Sequence, residues 1–545
     1  MGEMHYDHII VGGGSAGCVL ANRLSANPST SVLLIEAGGT HKKWRVDMPA
    51  ALDAFMGPCD ENWGFRTDPE PGLQGRQIDH PRGRLLGGSS SINGMAYTRG
   101  NVMDFENWAA RHGCIGWDYQ NILPYFARSE HSVNQHGPGR GRDGPQYTRA
   151  PNPFADEVNT AFMNAGVESG FDYLNDSNGT VQEGFAPNEQ TIYRGRRWST
   201  ARGYLDPVRD RPNLTVLTRC VVDRLLFDGK TAKAVVFKQQ GHTLTAKADG
   251  EIILSAGTFG SAAILQRSGV GPKDLIERLG IPLVADLPVG ENLQDHPDVI
   301  IQFKASRDVG IYRSTRGLAR IKTGIEWFLT KTGPAATNHF EAAAYLKTDP
   351  TRDYPNIKLE MLPIAFEPHS FTPRNYPAFQ VHMTLQRARS RGRCQINSRN
   401  PDETLSILFN YLEDEDDIRA LTDAVRLMRR IAEAPAFKNV LSTEIFPGPG
   451  CTSDSQIETW LRANVNTAYH PGGTCKMGSE ERAGTVVTPD LRVRGLSNLR
   501  VADASVMPEI VTANLNAATI AIGEKAAAIV LNENCNEPAT PLEQG

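Results

Sequence analysis

The chain has 545 residues, a length at which one hydrophobic core usually gives way to two. Its 40% hydrophobic and 22% charged residues are those of an ordinary globular protein. A net charge of -5 offers no overall electrostatic draw toward nucleic acid or an anionic membrane. Eight cysteines (Cys18, Cys59, Cys114, Cys220, Cys394, Cys451, Cys475 and Cys535) are scattered without a CxxC pair. That spread favours reduced thiols over a disulfide framework and supplies no metal site of zinc spacing. Met1-Gly2 resembles an acylation start, but Tyr6 stands where Ser or Thr is needed. A strand-like run from Tyr6 leaves no room for a signal peptide. The longest apolar stretch, 517–531, is broken by Gly523, Glu524 and Lys525, so no membrane-spanning segment is expected and the cytoplasm is the default location.

Taken in chain order, residues 6–11 (YDHIIV) predict a strand that runs straight into Gly12, Gly13, Gly14, Ser15, Ala16 and Gly17. Val19, Leu20 and Leu24 then recur on one helical face, and a second apolar run, 32–35, ends at Glu36. This is a complete dinucleotide-binding βαβ unit. Gly12 permits the tight turn, Gly14 lets backbone approach a pyrophosphate at a helix N-terminus, and Gly17 allows close helix–strand packing. Glu36, 19 residues beyond Gly17, is placed to accept two ribose hydroxyls.

Further along, Gly87 and Gly88 precede three serines in GRLLGGSSSIN (83–93), a loop rich in free N–H groups that suits a phosphate or a flat ring. The strand-like run 251–255 is followed by Gly257 and Gly260 but lacks the first glycine of a fingerprint, and Gly137 to Gly144 follows no apolar strand. One nucleotide site leaves two readings: NAD with the substrate as its redox partner, or FAD with an external electron acceptor. The basic run 194–197 reads as a solvated turn, with Trp198 and Ser199 near a substrate entrance. Near the C-terminus, Tyr469, Pro471, Gly472 and Gly473 surround His470, a setting that holds an imidazole out from a rigid turn. Such a group titrates near neutrality and can take a hydroxyl proton. His296, in NLQDH, reads as structural.

The run 83–93 with Tyr97, Gly100 and Glu106, the segment Gly257, Thr258, Phe259, Gly260 and Ser261, the VGENLQDH run at 289–296 and the VADAS run at 501–505 together resemble the glucose–methanol–choline oxidoreductase family. Ala262 departs from the family's Pro or Ser. The resemblance spans nearly the whole chain and implies an α/β protein: a Rossmann-like FAD-binding domain (1–160, 215–300 and 463–535) interleaved with an α+β substrate-binding domain (161–214 and 301–462) containing an antiparallel sheet.

It implies FAD, with adenosine at Glu36 and pyrophosphate near Gly14, Ser15, Asp503 and Ala504. The flavin would lie by Arg84, Gly87, Gly88, Ser91, Asn93 and Gly94, with Val222 and Asn516 as further contacts. Ile92 occupies the position from which some relatives tether flavin through histidine, so FAD is expected to be noncovalent. The second catalytic position matches Asn514, whose amide can donate to a developing oxyanion while His470 acts as base. The expected reaction is oxidation of a small-molecule alcohol, with electrons passing to oxygen or to a quinone or dye. The alternatives are choline dehydrogenase proper, a hydroxy-acid dehydrogenase, an NAD-dependent dehydrogenase and, from a different class, a noncatalytic flavin scaffold. Trp63, Phe340 and Tyr469 are expected as aromatic walls, and Asn338 to Ala342 resembles the choline-oxidising branch. Lys304 is expected in the pocket, where it would repel a quaternary ammonium and favour neutral alcohols or hydroxy acids over choline.

Overall fold

The computed structural model describes residues 4–134 and 137–533. Met1, Gly2 and Cys535, on which expectations above rest, lie outside the described residues. Two large hydrophobic cores organise the chain. The first surrounds a sheet in the spatial order Leu214–Leu217, Val32–Ile35, Met4–Val11, His242–Leu254, Thr231–Gln239 and Cys220–Asp228, with Leu499–Val501 added beside His242–Leu254. Val32, Leu33, Leu34 and Ile35 are all buried, as a parallel strand covered on both faces requires. Ile9, Ile10 and Val11 pair in parallel with residues 33–35 on one side and 252–254 on the other.

Helices Ser15–Leu24 and Asn516–Leu531 pack against each other in this core. A Cβ on Gly523 would lie 3.0 Å from the Cα of Ala16, so glycine sets how closely they approach. The apolar run at 517–531 is therefore a buried core helix. Its Glu524 accepts from Arg23 and from the Tyr204 hydroxyl, each at 2.7 Å. Among the described residues no helix is long and apolar enough to cross a membrane.

The second core lies against an antiparallel sheet in the order Leu441–Phe446, Pro297–Ala305, Ala378–Leu385, Ile357–Leu362, Ala342–Leu346 and Gly184–Pro187. Val299, Ile301 and Phe303 enter this core together with the apolar side of helix Glu415–Ala432. With a side-chain period of two, Asp298, Ile300 and Gln302 turn to the opposite face, which borders the cavity described below. The two sheets draw on interleaved stretches of chain, as expected for this α/β architecture. The strand Pro297–Ala305 runs through the anticipated break at 300, and Asn466–Thr467 pairs with it rather than with the first sheet.

Candidate active site

A cavity of about 1840 Å³ opens between the two sheets, well beyond the ~300–1,000 Å³ typical of a single small-ligand pocket. Its inner end is the first βαβ unit. Gly12 has φ +102°, and a Cβ there would come 2.5 Å from the Ser255 carbonyl oxygen. Gly14 and Ser15 line the cavity at the start of helix Ser15–Leu24, which has neither a side-chain cap nor an acid in its first turn. Helix Asn516–Leu531 begins beside it, also uncapped, and the Asn516 amide donates to Ser15 Oγ at 2.8 Å. Two helix N-termini thus converge on one wall, where both dipoles favour an anion. The buried Glu36 carboxylate accepts from the Gly13 and Gly38 amides at 2.8 and 2.7 Å, and burial raises its pKa to about 7. Arg84, Gly88, Asn93, Gly94, Val222, Asp503 and Ala504 complete this part of the wall. The Asp503 carboxylate is occupied by the Gly257 amide at 2.9 Å and the Ser261 hydroxyl at 2.6 Å, so it orients the neighbouring helix start.

At the far side of the wall stand His470 and Asn514. Tyr469, at φ +66°, makes the turn that projects His470; its carbonyl accepts from Arg82 at 2.7 Å and its amide donates to Thr467 Oγ1 at 2.7 Å. The His470 amide donates to the buried Asp295 carboxylate at 2.7 Å. Asn514 Oδ1 accepts from Lys358 at 2.7 Å and from the Thr98 hydroxyl at 3.1 Å. The amide nitrogen of Asn514 must therefore be the group that faces His470 Nε2, at 3.1 Å. Nε2 is then an acceptor, the His470 proton sits on Nδ1, and Nδ1 donates to His296 Nδ1 at 3.2 Å. Burial, His296, Lys358 and Arg82, in that order, hold the His470 pKa well below the usual histidine value. The imidazole is neutral, with its basic nitrogen and an amide donor side by side at the cavity wall.

The antiparallel sheet supplies the outer wall. Phe340, Tyr469 and the half-exposed Trp63 line the cavity, with the Arg84 guanidinium 4.8 Å from the Trp63 ring centroid. Asp298, Glu360 and His382 line it as well; Asp298 is bound to His382 at 2.8 Å, and Glu360 to Lys358 at 2.7 Å. Burial would push the His382 pKa down, but the adjoining Asp298 carboxylate outweighs it and holds the pKa up. Lys304 is not part of this wall. It shares the strand face of Asp298 and Gln302 but lies one step past the cavity's end, exposed to solvent, with its ammonium 5.7 Å from the Tyr376 ring centroid. The inward position on this strand belongs to Asp298, six residues earlier. The repulsion argued above against choline has no structural basis.

Family models for GMC oxidoreductase match residues 6–298 and 388–523. The chain belongs to the GMC oxidoreductase family. It is 44% identical over 97% of its length to the oxygen-dependent choline dehydrogenase of Burkholderia vietnamiensis, covering 94% of that protein. Among solved structures, pyridoxine 4-oxidase from Mesorbium loti superposes with a TM-score of 0.88 at 31% identity, covering 97% of this chain and all of the other. An FAD-dependent oxidoreductase from Chaetomium thermophilum superposes with a TM-score of 0.87 at 27% identity, covering 97% and 99%. This GMC protein is an FAD-dependent alcohol oxidoreductase.

The cavity fits that cofactor. A Cβ at Gly14 would point into open space with no atom nearer than 3.8 Å, and one at Gly94 would meet nothing within 4 Å. Backbone is therefore bared to the cavity both at the start of helix Ser15–Leu24 and in the loop at Gly94. Gly17, Gly87 and Ser91 sit behind the wall and shape it. A Cβ on Gly17 would strike the Gly12 carbonyl oxygen, the Gly87 amide donates to Gly13 at 2.7 Å, and Ser91 Oγ donates to the Leu86 carbonyl at 2.8 Å. Ile92 lines the cavity and packs with Val46, Phe55 and Leu85.

Three neighbours escape sequence reasoning. Arg197, read as part of a solvated turn, is buried; it donates to the Val46 carbonyl at 2.9 Å and to Asn93 Oδ1 at 2.8 Å, bracing the loop that carries Asn93. Trp198 donates to the Pro145 carbonyl at 2.8 Å, and neither it nor Ser199 lines the cavity. His296 and Lys358 touch His470 and Asn514, a contact invisible in a sequence where they stand 174 and 156 positions from their partners.

Proposed function

We propose that His470 Nε2 is the base and Asn514 Nδ2 the oxyanion donor for oxidation of a primary alcohol to the aldehyde. The supporting observation is the hydrogen-bond chain from Lys358 through Asn514 to His470, which leaves Nε2 unprotonated and the amide N–H beside it. A substrate oxygen seated between them loses its proton to Nε2 while accepting a hydrogen bond from the amide. The Nδ1–H bond to His296 keeps the ring in the required tautomer. FAD, when bound, supplies the electron sink for the hydride leaving the carbinol carbon. Gly14, Ser15, Glu36 and the two helix N-termini would hold its adenosine diphosphate half, and the loop braced by Arg197 its flavin.

The same reading extends to the substrate. The Asp298 and Glu360 carboxylates, with Phe340, Tyr469 and Trp63, suit an alcohol carrying a quaternary ammonium group. The oxygen-dependent choline dehydrogenases at 43–44% identity point the same way and favour oxygen as electron acceptor. The hydroxy-acid reading loses the Lys304 on which it stood. Steady-state kcat/KM for choline, its uncharged isostere 3,3-dimethyl-1-butanol, benzyl alcohol and a short ω-hydroxy acid tests this. Choline should exceed the isostere by about tenfold or more, the worth of ~1.4 kcal/mol of charge recognition. Asp298→Asn should narrow that gap without slowing the isostere. Equal values for choline and the isostere would refute the substrate assignment and leave the assignment of the base to be judged by its own variants.

A further inference from the structure

The cavity face of the antiparallel sheet carries a chain of polar side chains. Register places His382 between Ile300 and Glu360 of the neighbouring strands, with Thr384 beside Asp298 and Gln380 beside Gln302. Asp298 accepts from the Thr384 hydroxyl at 2.7 Å and faces His382 Nδ1 at 2.8 Å. The other ring nitrogen, Nε2, lies 3.0 Å from the Gln380 amide nitrogen. Gln380 in turn meets Gln302, Gln302 meets Arg374, and Arg374 pairs with the half-exposed Glu367 at 3.1 Å.

Groups that can only donate fix every orientation in this chain. Arg374 donates to Gln302 Oε1 at 3.0 Å from Nε and 2.8 Å from Nη2, so the Gln302 amide nitrogen is the group that donates to Gln380 Oε1, at 3.1 Å. The Phe366 backbone N–H donates to the same Gln380 oxygen at 3.2 Å. That oxygen is held twice, so the Gln380 amide nitrogen must donate to His382 Nε2. The imidazole is then neutral, with its one proton on Nδ1 and donated to Asp298. Protonating Nε2 would set two donors against each other and break the Gln380 bond. The groups facing the ring are Asp298, Gln380, Glu360 of the next strand and the Phe340 ring, 5.5 Å away between centroids. Glu360 is itself paired with Lys358. A neutral ring therefore leaves one net negative charge among Asp298, Glu360 and Lys358, and a protonated ring leaves none.

We propose that His382 sets the charge of the wall that receives a cationic substrate: its neutral form leaves Asp298 to attract a quaternary ammonium, and its protonated form cancels that attraction. This rests on the reading of the substrate given above. His382 acts through Asp298 and determines specificity; it takes no part in moving the hydride or the hydroxyl proton. The Asp298 carboxylate favours a second proton on the ring and the Gln380 donor opposes it. The opposed contacts keep the change of state within the ordinary range of a histidine, roughly pH 5–8.

The test is kcat/KM of the FAD-loaded full chain for choline and for 3,3-dimethyl-1-butanol across roughly pH 5–8 and just beyond. The ratio of the two cancels His470, which serves both substrates. It should fall by about tenfold or more as the pH drops and the ring gains its second proton, the effect of one charge a few ångströms away. The change should lie in KM for choline. His382→Asn, which keeps an amide donor toward Asp298 but cannot titrate, should hold the ratio high and flat. Gln380→Met removes the donor that opposes protonation and should move the fall to higher pH. A strong preference for choline that stays constant with pH in the parent would overturn the proposal and leave the substrate reading intact. A fall that persists in His382→Asn, or that Gln380→Met leaves in place, would overturn it as well and assign the titration to a carboxylate. Equal values for choline and the isostere at every pH would remove both.

Discussion

At the scale of single residues, the chemistry depends on where two protons sit. His470→Ala should lower kcat by about 10²–10⁴, the usual worth of a positioned base, with the flavin still bound. Asn514→Ala should cost roughly 10²–10³ through the lost oxyanion donor. Anaerobic flavin bleaching in a stopped-flow instrument reads both, and near-parent rates would remove the pair from the mechanism. The pH dependence follows from the same contacts. On the proposed mechanism neutral His470 is the active form, and its pKa lies well below 6.5 because of burial first and then His296, Lys358 and Arg82. The acid limb of kcat/KM should therefore fall below pH 6.5. The groups facing this imidazole are His296, Arg82, Lys358 with its partner Glu360, and Asp295 beneath the backbone. Lys358→Met removes a cation that opposes protonation, so the His470 pKa rises and the acid limb moves to higher pH. The variant also frees the Asn514 amide to rotate, and kcat should drop by about tenfold. A limb that stays in place would show that Lys358 does not act on this site.

At the scale of elements, the cofactor site is made where strand ends meet helix starts. The turn after Met4–Val11 is the tightest constraint: Gly12 has φ +102°, and its missing Cβ would collide with Ser255 of the neighbouring strand end. Gly12→Ala combines left-handed strain, of order 1–3 kcal/mol, with that collision. The expected outcome is a lower Tm and a lower FAD content in the purified protein, measured by thermal melt and by the flavin-to-protein absorbance ratio. A variant as yellow and as stable as the parent would mean that the turn relaxes. Most of this element was legible in advance, since the fingerprint, its strands and Glu36 lie within one stretch of chain and obey local rules. The outer wall was not. Reading Pro297–Ala305 two residues at a time identifies one face, but the point at which the cavity ends along that face depends on the loops above it. Lys304 was misplaced for that reason, and Asp298 overlooked.

At the scale of the whole molecule, Ile92 offers no nucleophile to the flavin, so acid or heat denaturation should release yellow cofactor into the supernatant. Flavin that precipitates with the polypeptide would contradict this. Bound FAD should also raise Tm with increasing free cofactor, as mass action requires of a ligand that binds the folded state. The sequence by itself determined the family, the cofactor class and the position of the histidine, because each is carried by a short motif whose backbone demands are local. Only the tertiary structure decided which way Asn514 faces, that His296, Lys358 and Arg197 stand behind the site, and that Lys304 stands outside it. Those outcomes come from contacts between residues more than a hundred positions apart, or from where a sheet runs out into solvent.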